Sequence, residues 1–437
     1  MFDTIAAIST GGITNDPISI IRVEGPESFD IVKKIFSGKI GKNKTITYGY
    51  IKDGKQKIDE VLISWFVSPN TFTGGNIVEI NAHGGIVNTN KILQLILANG
   101  ARIAERGEFS RRAFLNGKMD LIKAEAIHDL IFAKTQEQAI LSVKKFDGKT
   151  SSLIDSLNQK ILEIIATIET NIDYPEYDDV EILTQKTLLP KLKNIDTDLN
   201  EILKSSKTSR YIYEGVNVAI VGKPNAGKSS LLNAFLNEEK AIVTDVPGTT
   251  RDVVEGSIQI GQVLLNFKDT AGIHSTSDKV EQLGIKKTLN QIEIADLIIH
   301  VVDPLVKVDE DDFQIELASK FKPYIKVFNK SDLKQHKGIN ISALNKDINK
   351  LINIIKLMYK DIDLNNEKIV NNTRQLSLID SSKIAITEAI KGLENGFQPD
   401  TIIIDITKAW EDLGNIIGRA EEVDLLDQMF KSFCLGK

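Results

Sequence analysis

A single cysteine, Cys434, excludes an internal disulfide and fits a reducing compartment. No apolar run is long enough to span a bilayer. No basic patch precedes an apolar core at Met1-Phe2-Asp3-Thr4, so no signal peptide is expected. The chain is therefore expected in the cytoplasm. Positive charge is not in excess: 54 Lys and Arg face 60 Asp and Glu, for a formal net charge of −6. That balance argues against a protein that grips nucleic acid by bulk charge, but leaves room for a local basic site. Internal repeats and low-complexity tracts are also missing.

What is present is an ordinary globular composition, 42% hydrophobic and 26% charged. A chain of 437 residues suggests about two to four domains. Residues 1–118 mix strands with helices and read as α+β. Ile18–Val23, Glu60–Val67 and Asn76–Ile80 are the expected strands, and Ser28–Phe36 and Asn88–Ala98 have helical spacing. Residues 119–214 turn helical. Leu157, Ile161, Ile164, Ile165, Ile168 and Ile172 form one apolar stripe, and Leu188, Leu192, Ile195, Leu199 and Ile202 form another. Asp173-Tyr174-Pro175-Glu176 breaks the helix between them. Residues 215–358 alternate strand and helix as a doubly wound α/β unit. Residues 359–437 are helical again, with Thr401–Ile417 and Val423–Phe433 as helices. The expected fold class is multidomain: an α+β N-terminal domain, an α-helical bundle, and an α/β P-loop GTPase domain of Ras-like type inserted into that bundle.

The chemistry centres on Gly222-Lys223-Pro224-Asn225-Ala226-Gly227-Lys228-Ser229, between the strand Val216–Val221 and the helix that opens at Ser230. Strand, glycine-rich turn and helix make a phosphate cradle, because backbone N–H groups turn inward and the helix start adds partial positive charge. Lys228 would reach the outer phosphates, and the Ser229 hydroxyl would meet Mg²⁺. Asp269-Thr270-Ala271-Gly272 follows the strand ending at Lys268. Gly248-Thr249-Thr250-Arg251-Asp252 lies before that strand and has the residues of a switch. Asn329-Lys330-Ser331-Asp332 follows another strand, where the Asp332 carboxylate can accept from guanine's two edge N–H groups. Ile341-Ser342-Ala343 would close the base pocket. In this order, each at a strand end, the motifs indicate GTP with Mg²⁺.

The residue that drives hydrolysis is less plain. Ile273 stands where Ras-like enzymes carry a water-orienting glutamine. His274 is adjacent, a lone surface histidine. Asn225, with backbone carbonyls around Thr244 to Thr249, could hold a monovalent cation. Glu281 is either a solvated helix carboxylate or a residue that orients water when switch II folds over. Cys434 is either a buried structural thiol or a reactive or ligand-facing one. His83-Gly84-Gly85 is either a tight turn or a backbone that something approaches closely. Charged residues such as Arg22, Glu79 and Lys118 beside apolar elements are ordinarily edge-exposed. Lys144, Lys145, Lys191 and Lys193 read as solvated helix faces.

Several separated motifs together resemble the MnmE (TrmE) family of tRNA modification GTPases. They are Asp3-Thr4-Ile5-Ala6-Ala7, His83-Gly84-Gly85, Gly107-Glu108-Phe109-Ser110 running into Arg112–Leu121, Ile172-Asp173-Tyr174-Pro175-Glu176, the G motifs, and the terminal Phe433-Cys434-Leu435-Gly436-Lys437. The resemblance implies an N-terminal domain that binds folate and dimerises, a helical domain of two segments, and an inserted G domain. It implies a tetrahydrofolate derivative at Arg22, Glu79, Lys118 and Lys437. It implies GTP contacts at Asn225, Ala226, Gly227, Lys228, Ser229, Ser230, Thr244, Asp245, Val246, Pro247, Gly248, Thr249, Thr250, Asp269, Thr270, Ala271, Gly272, Asn329, Lys330, Ser331, Asp332, Ser342 and Ala343. Mg²⁺ would fall to Ser229 and Thr250, and K⁺ to Asn225, Thr244, Val246 and Thr249, with Glu281 and Cys434 as catalytic positions. The implied partners are a second copy of the chain, an FAD protein of the MnmG (GidA) type, and tRNA. The implied activity is K⁺-stimulated GTP hydrolysis tied to aminomethyl or carboxymethylaminomethyl addition at carbon 5 of the wobble uridine. A regulatory or ribosome-assembly switch GTPase is the rival. The family usually has an acidic pair where this chain has Gly75-Asn76.

Overall fold

Alternation of buried and exposed side chains builds the first sheet. Its strands are β1 (Ile5–Ile8), β2 (Ile18–Glu24), β3 (Thr45–Asp53), β4 (Gln56–Phe66), β5 (Ile77–His83) and β6 (Arg102–Ile103), in the order β3-β4-β5-β2-β1-β6. Pairing is antiparallel throughout, except that β6 runs parallel to β1. One face, carrying Ile21, Val23, Ile63, Trp65, Val78 and Ile80, packs on α1 (Ser28–Ile35) and α2 (Ile86–Ala98) in a single core. α3 (Glu108–Leu115) and α4 (Leu121–Phe132) follow. The computed structural model describes residues 3–10, 16–173, 185–237, 241–242, 254–268, 281–360, 369–370, 372–419, 426, 429–431, 433 and 436.

The chain divides into two compact units, 1–131 with 145–162 and 410–437, and 132–144 with 163–409. The second unit takes α5 (Gln136–Lys144), the later part of α6 (Lys149–Asp173), α7 (Gln185–Tyr213), and a seven-stranded sheet. The strands are β7 (Val216–Val221), β8 (Ala241–Ile242), β9 (Val254–Ile260), β10 (Val263–Lys268), β11 (Leu297–Val302), β12 (Tyr324–Phe328) and β13 (Ile339–Asn340). Their order is β13-β12-β11-β7-β10-β9-β8. The five strands from β13 to β10 are parallel, and β9 and β8 run antiparallel at one edge. β11 is buried at every position, as a central parallel strand flanked on both faces must be. The helices are α8 (Lys228–Leu236), α9 (Glu281–Ile294), α10 (Glu310–Ala318), α11 (Asn349–Met358), α12 (Thr373–Glu394) and the first part of α13 (Pro399–Ile417).

From β7 the chain first builds β10 on one side and then crosses to β11 on the other. That reversal makes the carboxyl end of β7 a topological switch point, where open α/β sheets take ligands. α7 and α12 flank the α/β segment in sequence and pack on each other. Thr387 Oγ1 donates to Asp196 Oδ1 at 3.1 Å, and the Val370 N–H donates to Ser206 Oγ at 2.9 Å. Asn372 caps α12 by accepting from the Arg374 N–H at 2.9 Å.

The stripe on α7 is buried from Leu188 to Ile202. On α6 the stripe is buried through Ile168, but Ile172, one residue before the helix ends, is 48% exposed. Lys145 corrects the expectation of a solvated face. It is buried, and its Nζ pairs with Asp129 at 3.2 Å. Strands β1, β3, β6, β8, β9 and β13 were not expected from composition. β3 carries a glycine and two tyrosines in a weak alternation, and its place is set by pairing with β4.

Candidate functional site

The P-loop leaves β7 at Gly222, whose φ is +142°. A Cβ there would lie 2.2 Å from the Val301 carbonyl oxygen, so only glycine lets the loop pass β11 this closely. Asn225 takes a left-handed φ of +61° and is exposed. Gly227 at +98° turns the chain into α8. Lys228 opens that helix, and its Nζ donates to the carbonyls of Gly222 and Lys223, both at 2.8 Å. Burial holds its ammonium below the ordinary lysine value. An anion at the helix start would relieve that cost. Ser229 and Ser230 occupy the first turn.

Asn329 ties this loop to the rest of the pocket. It is buried after β12, and its Nδ2 donates to the Ala226 carbonyl at 2.9 Å. Its Oδ1 accepts from the Ala343 N–H at 3.0 Å. A Cβ on Gly227 would lie 2.0 Å from the same Nδ2. Lys330 has φ +60° and its Nζ pairs with Asp303 at 2.6 Å. The Ser331 N–H donates to the Ile341 carbonyl at 3.1 Å. Asp332 is exposed, with Oδ1 accepting from Ser342 Oγ at 2.6 Å. Its second oxygen can accept from a base edge. The structure thus brings Asn225–Ser230, Asn329–Asp332, Ser342 and Ala343 to one end of the sheet.

Thr244, Asp245, Val246, Pro247, Gly248, Thr249, Thr250, Asp269, Thr270, Ala271, Gly272, Ile273 and His274 lie outside the described residues, as do Cys434 and Lys437. Glu281 is the first residue of α9, and its side chain is not described.

A second network behind the P-loop escaped the sequence reading. Lys223 Nζ meets Asp312 at 2.7 Å, Asp309 at 2.9 Å and the Lys307 carbonyl at 2.8 Å. Asp309 and Asp312 form the capping box of α10. The Asp-x-x-Asp spacing was a readable signal for that cap, but not for its lysine.

In the N-terminal unit, Arg22 and Glu79 face each other across β2 and β5. Glu79 Oε1 accepts from Arg22 Nε at 2.9 Å and from Nη2 at 2.8 Å. This corrects the expectation of edge-exposed charges: both strands are interior to the sheet, and the side chains are only 16% and 23% exposed. Arg22 Nη1 also donates to the Gly436 carbonyl at 3.1 Å, and the guanidinium lies over Phe72 and Phe109. Lys118 is exposed, and its Cε would be 2.9 Å from a Cβ on Gly74. Beneath them Arg112, fully buried, bonds Glu24, Glu108 and Asp3. Hydrogen bonds from Arg102, with the nearby Arg112 charge, pull the Asp3 carboxyl down to about 2. The turn at His83 is tight because the chain itself presses on it: a Cβ on Gly84 would lie 1.6 Å from the Asp16 carbonyl.

Among known proteins, the family described as GTP-binding protein TrmE N-terminus matches residues 4–118, and that of the MnmE helical domain matches residues 121–434. The tRNA modification GTPase MnmE of Mycoplasma mobile is 57% identical over 100% of both chains. That of Mycoplasmopsis pulmonis is 54% identical, again over 100% of both. That of Bacillus licheniformis is 42% identical over 100% of both. The chain belongs to the MnmE family of tRNA modification GTPases.

Proposed function

We propose that this GTPase, with an FAD-containing partner of the MnmG type, adds an aminomethyl or carboxymethylaminomethyl group to carbon 5 of the wobble uridine. The observation that carries the reading is one chain holding both sets of groups. Guanine-nucleotide loops are braced by Asn329, and a separate Arg22–Glu79 pair is tied to the chain's tail through the Gly436 carbonyl.

The donor sets suit the groups assigned to them. At the start of α8, Lys228 and the Ser229 hydroxyl suit a phosphate and Mg²⁺, with Thr250 as the second protein ligand. Asn225 suits K⁺. It is exposed, and among the described residues its side chain has no hydrogen-bond partner. Thr244, Val246 and Thr249 would complete that site, and Glu281 would orient water. Bound there, K⁺ would supply positive charge where phosphoryl oxygens gain negative charge. Arg22, Glu79, Lys118 and Lys437 would hold a tetrahydrofolate derivative, the source of the one-carbon unit. The Arg22 guanidinium, over two aromatic rings, offers a flat cationic surface to a planar, anionic ligand. We read the domains as 1–118, 119–214, 215–358 and 359–437, the protein as a homodimer, and its place as the cytoplasm.

Two experiments test the reading. GTP turnover should rise in K⁺ relative to Na⁺, and Asn225→Ala should remove the difference; equal wild-type rates in both salts would sink the potassium assignment. Mass analysis of tRNA from a deletion strain should show unmodified wobble uridines, and Cys434→Ser should lose modification while keeping GTP hydrolysis. Full modification in the deletion strain would favour the switch GTPase instead.

A further inference from the structure

We propose that the segment 33–44 is a contact surface for the phosphate backbone of the tRNA substrate. Its sequence, Lys33-Lys34-Ile35-Phe36-Ser37-Gly38-Lys39-Ile40-Gly41-Lys42-Asn43-Lys44, holds five lysines and no acid in a chain whose net charge is −6. No other stretch of twelve described residues has as many cations without an acid.

The fold fixes these lysines along one edge. Lys33 and Lys34 end α1. Phe36 then bridges to Ile51, and the Ser37 N–H donates to the Tyr50 carbonyl at 2.9 Å, so the chain runs back along the free edge of β3. Gly38 lies against the Tyr48 carbonyl and Gly41 against Trp65, where side chains would not fit. Asn43 Oδ1 accepts from the Val67 N–H at 2.9 Å, and Lys44 is held at φ +58° with its N–H on the Trp65 carbonyl at 2.7 Å. The backbone is pinned while all five lysine side chains are exposed.

None of the five ammonium groups has an ion-pair or hydrogen-bond partner among the described residues. The next densest run, 319–330, differs: of its four lysines, Lys322 bonds three carbonyls, Lys326 pairs with Glu316, Lys330 pairs with Asp303, and Lys320 lies over the Phe321 ring. Unpaired lysines on a fixed edge leave their charge available to an outside polyanion, and each phosphate they neutralise releases counterions. Edge lysines also discourage sheet-to-sheet pairing, but segment 36–37 already covers part of that edge with its own backbone.

The inference rests on the tRNA-modification reading, and the test separates the two. The full chain is titrated with an unmodified tRNA transcript at several salt concentrations, as wild type and as the triple variant Lys39→Gln/Lys42→Gln/Lys44→Gln. The variant should bind about tenfold or more weakly at low salt, and the slope of log K against log[salt] should shrink by about 2 to 3. GTP turnover and the thermal midpoint should be unchanged. A control triple of exposed lysines in the other unit, Lys204→Gln/Lys207→Gln/Lys320→Gln, should keep the wild-type slope. A slope unchanged in the first triple, or equally reduced in the control, overturns the proposal while leaving the family reading intact. A wild-type chain with no salt-dependent tRNA affinity overturns the proposal and direct tRNA contact together. Aggregation of the variant with full tRNA affinity assigns the lysines to edge protection and overturns the proposal.

Discussion

Lys223 Nζ lies 2.7 Å from one oxygen of Asp312, whose other oxygen lies 3.2 Å from His300 Nε2. His300 is fully buried in β11, and its Nδ1 lies 2.7 Å from the Tyr324 hydroxyl. Burial holds the imidazole below its ordinary value, so it is neutral at pH 7. A neutral ring has one donor and one acceptor. Facing a carboxylate, Nε2 carries the proton, and Nδ1 accepts from Tyr324. The chain Tyr324–His300–Asp312–Lys223 thus fixes the second residue of the P-loop from behind.

Asp312→Asn removes the buried charge that holds Lys223 and leaves the exposed Asp309 and the Lys307 carbonyl. GDP affinity should fall about three- to tenfold, with a stability loss of about 1 to 3 kcal/mol. Fluorescent-nucleotide titration measures the first and urea unfolding the second. Unchanged affinity would mean the anchor does not position the loop.

Asn329 spans the Ala226 carbonyl and the Ala343 N–H. Asn329→Ala breaks both ties and should weaken GTP binding by about ten- to a hundredfold, at about 1 kcal/mol per bond. Gly227→Ala should do comparable damage by another route, since its Cβ would collide with Asn329 Nδ2 and its φ is +98°. Wild-type affinity in either variant refutes this account of the pocket.

Burial pushes the Asp129 carboxyl up to about 6, against the pull of the Lys145 ammonium. In the unfolded chain it titrates near ~3.9. Between those values the unfolded chain gives up its proton first, so Asp129 costs stability as pH rises from about 4 to about 6 and nothing further above. The difference in thermal midpoint between wild type and Asp129→Asn should therefore change across that window and level off near neutrality. Both tryptophans, Trp65 and Trp410, belong to the same unit as Asp129, so their fluorescence reports on it. Parallel curves would remove Asp129 as the source.

Arg22→Lys keeps the charge but loses the planar fork on Glu79 and the surface over Phe72 and Phe109. Tetrahydrofolate binding at the proposed site, followed by equilibrium dialysis, should weaken about tenfold, because a lysine ammonium is no longer oriented by two bonds to Glu79 and by the two rings. GTP turnover should not change. Equal affinity in the variant would remove Arg22 from the proposed folate site.

Features whose physics is local are legible in the residues alone. A glycine-rich turn between a strand and a helix needs only consecutive residues, so Gly222–Ser229 was readable. Apolar periodicity marked the buried stripe of α7, because helix geometry sets which residues share a face. Features that distant residues settle together emerge only in the fold. Lys145 lies on no visible pattern, and its ion pair with the distant Asp129 helps make its burial tolerable. No motif in the sequence singles out the lysines of 33–44; the fold shows which edge they line and that their ammonium groups have no partner among the described residues. Arg22 meets a carbonyl 414 positions away. A main-chain oxygen is the same in every residue, so nothing in the sequence could have named Gly436 as its partner.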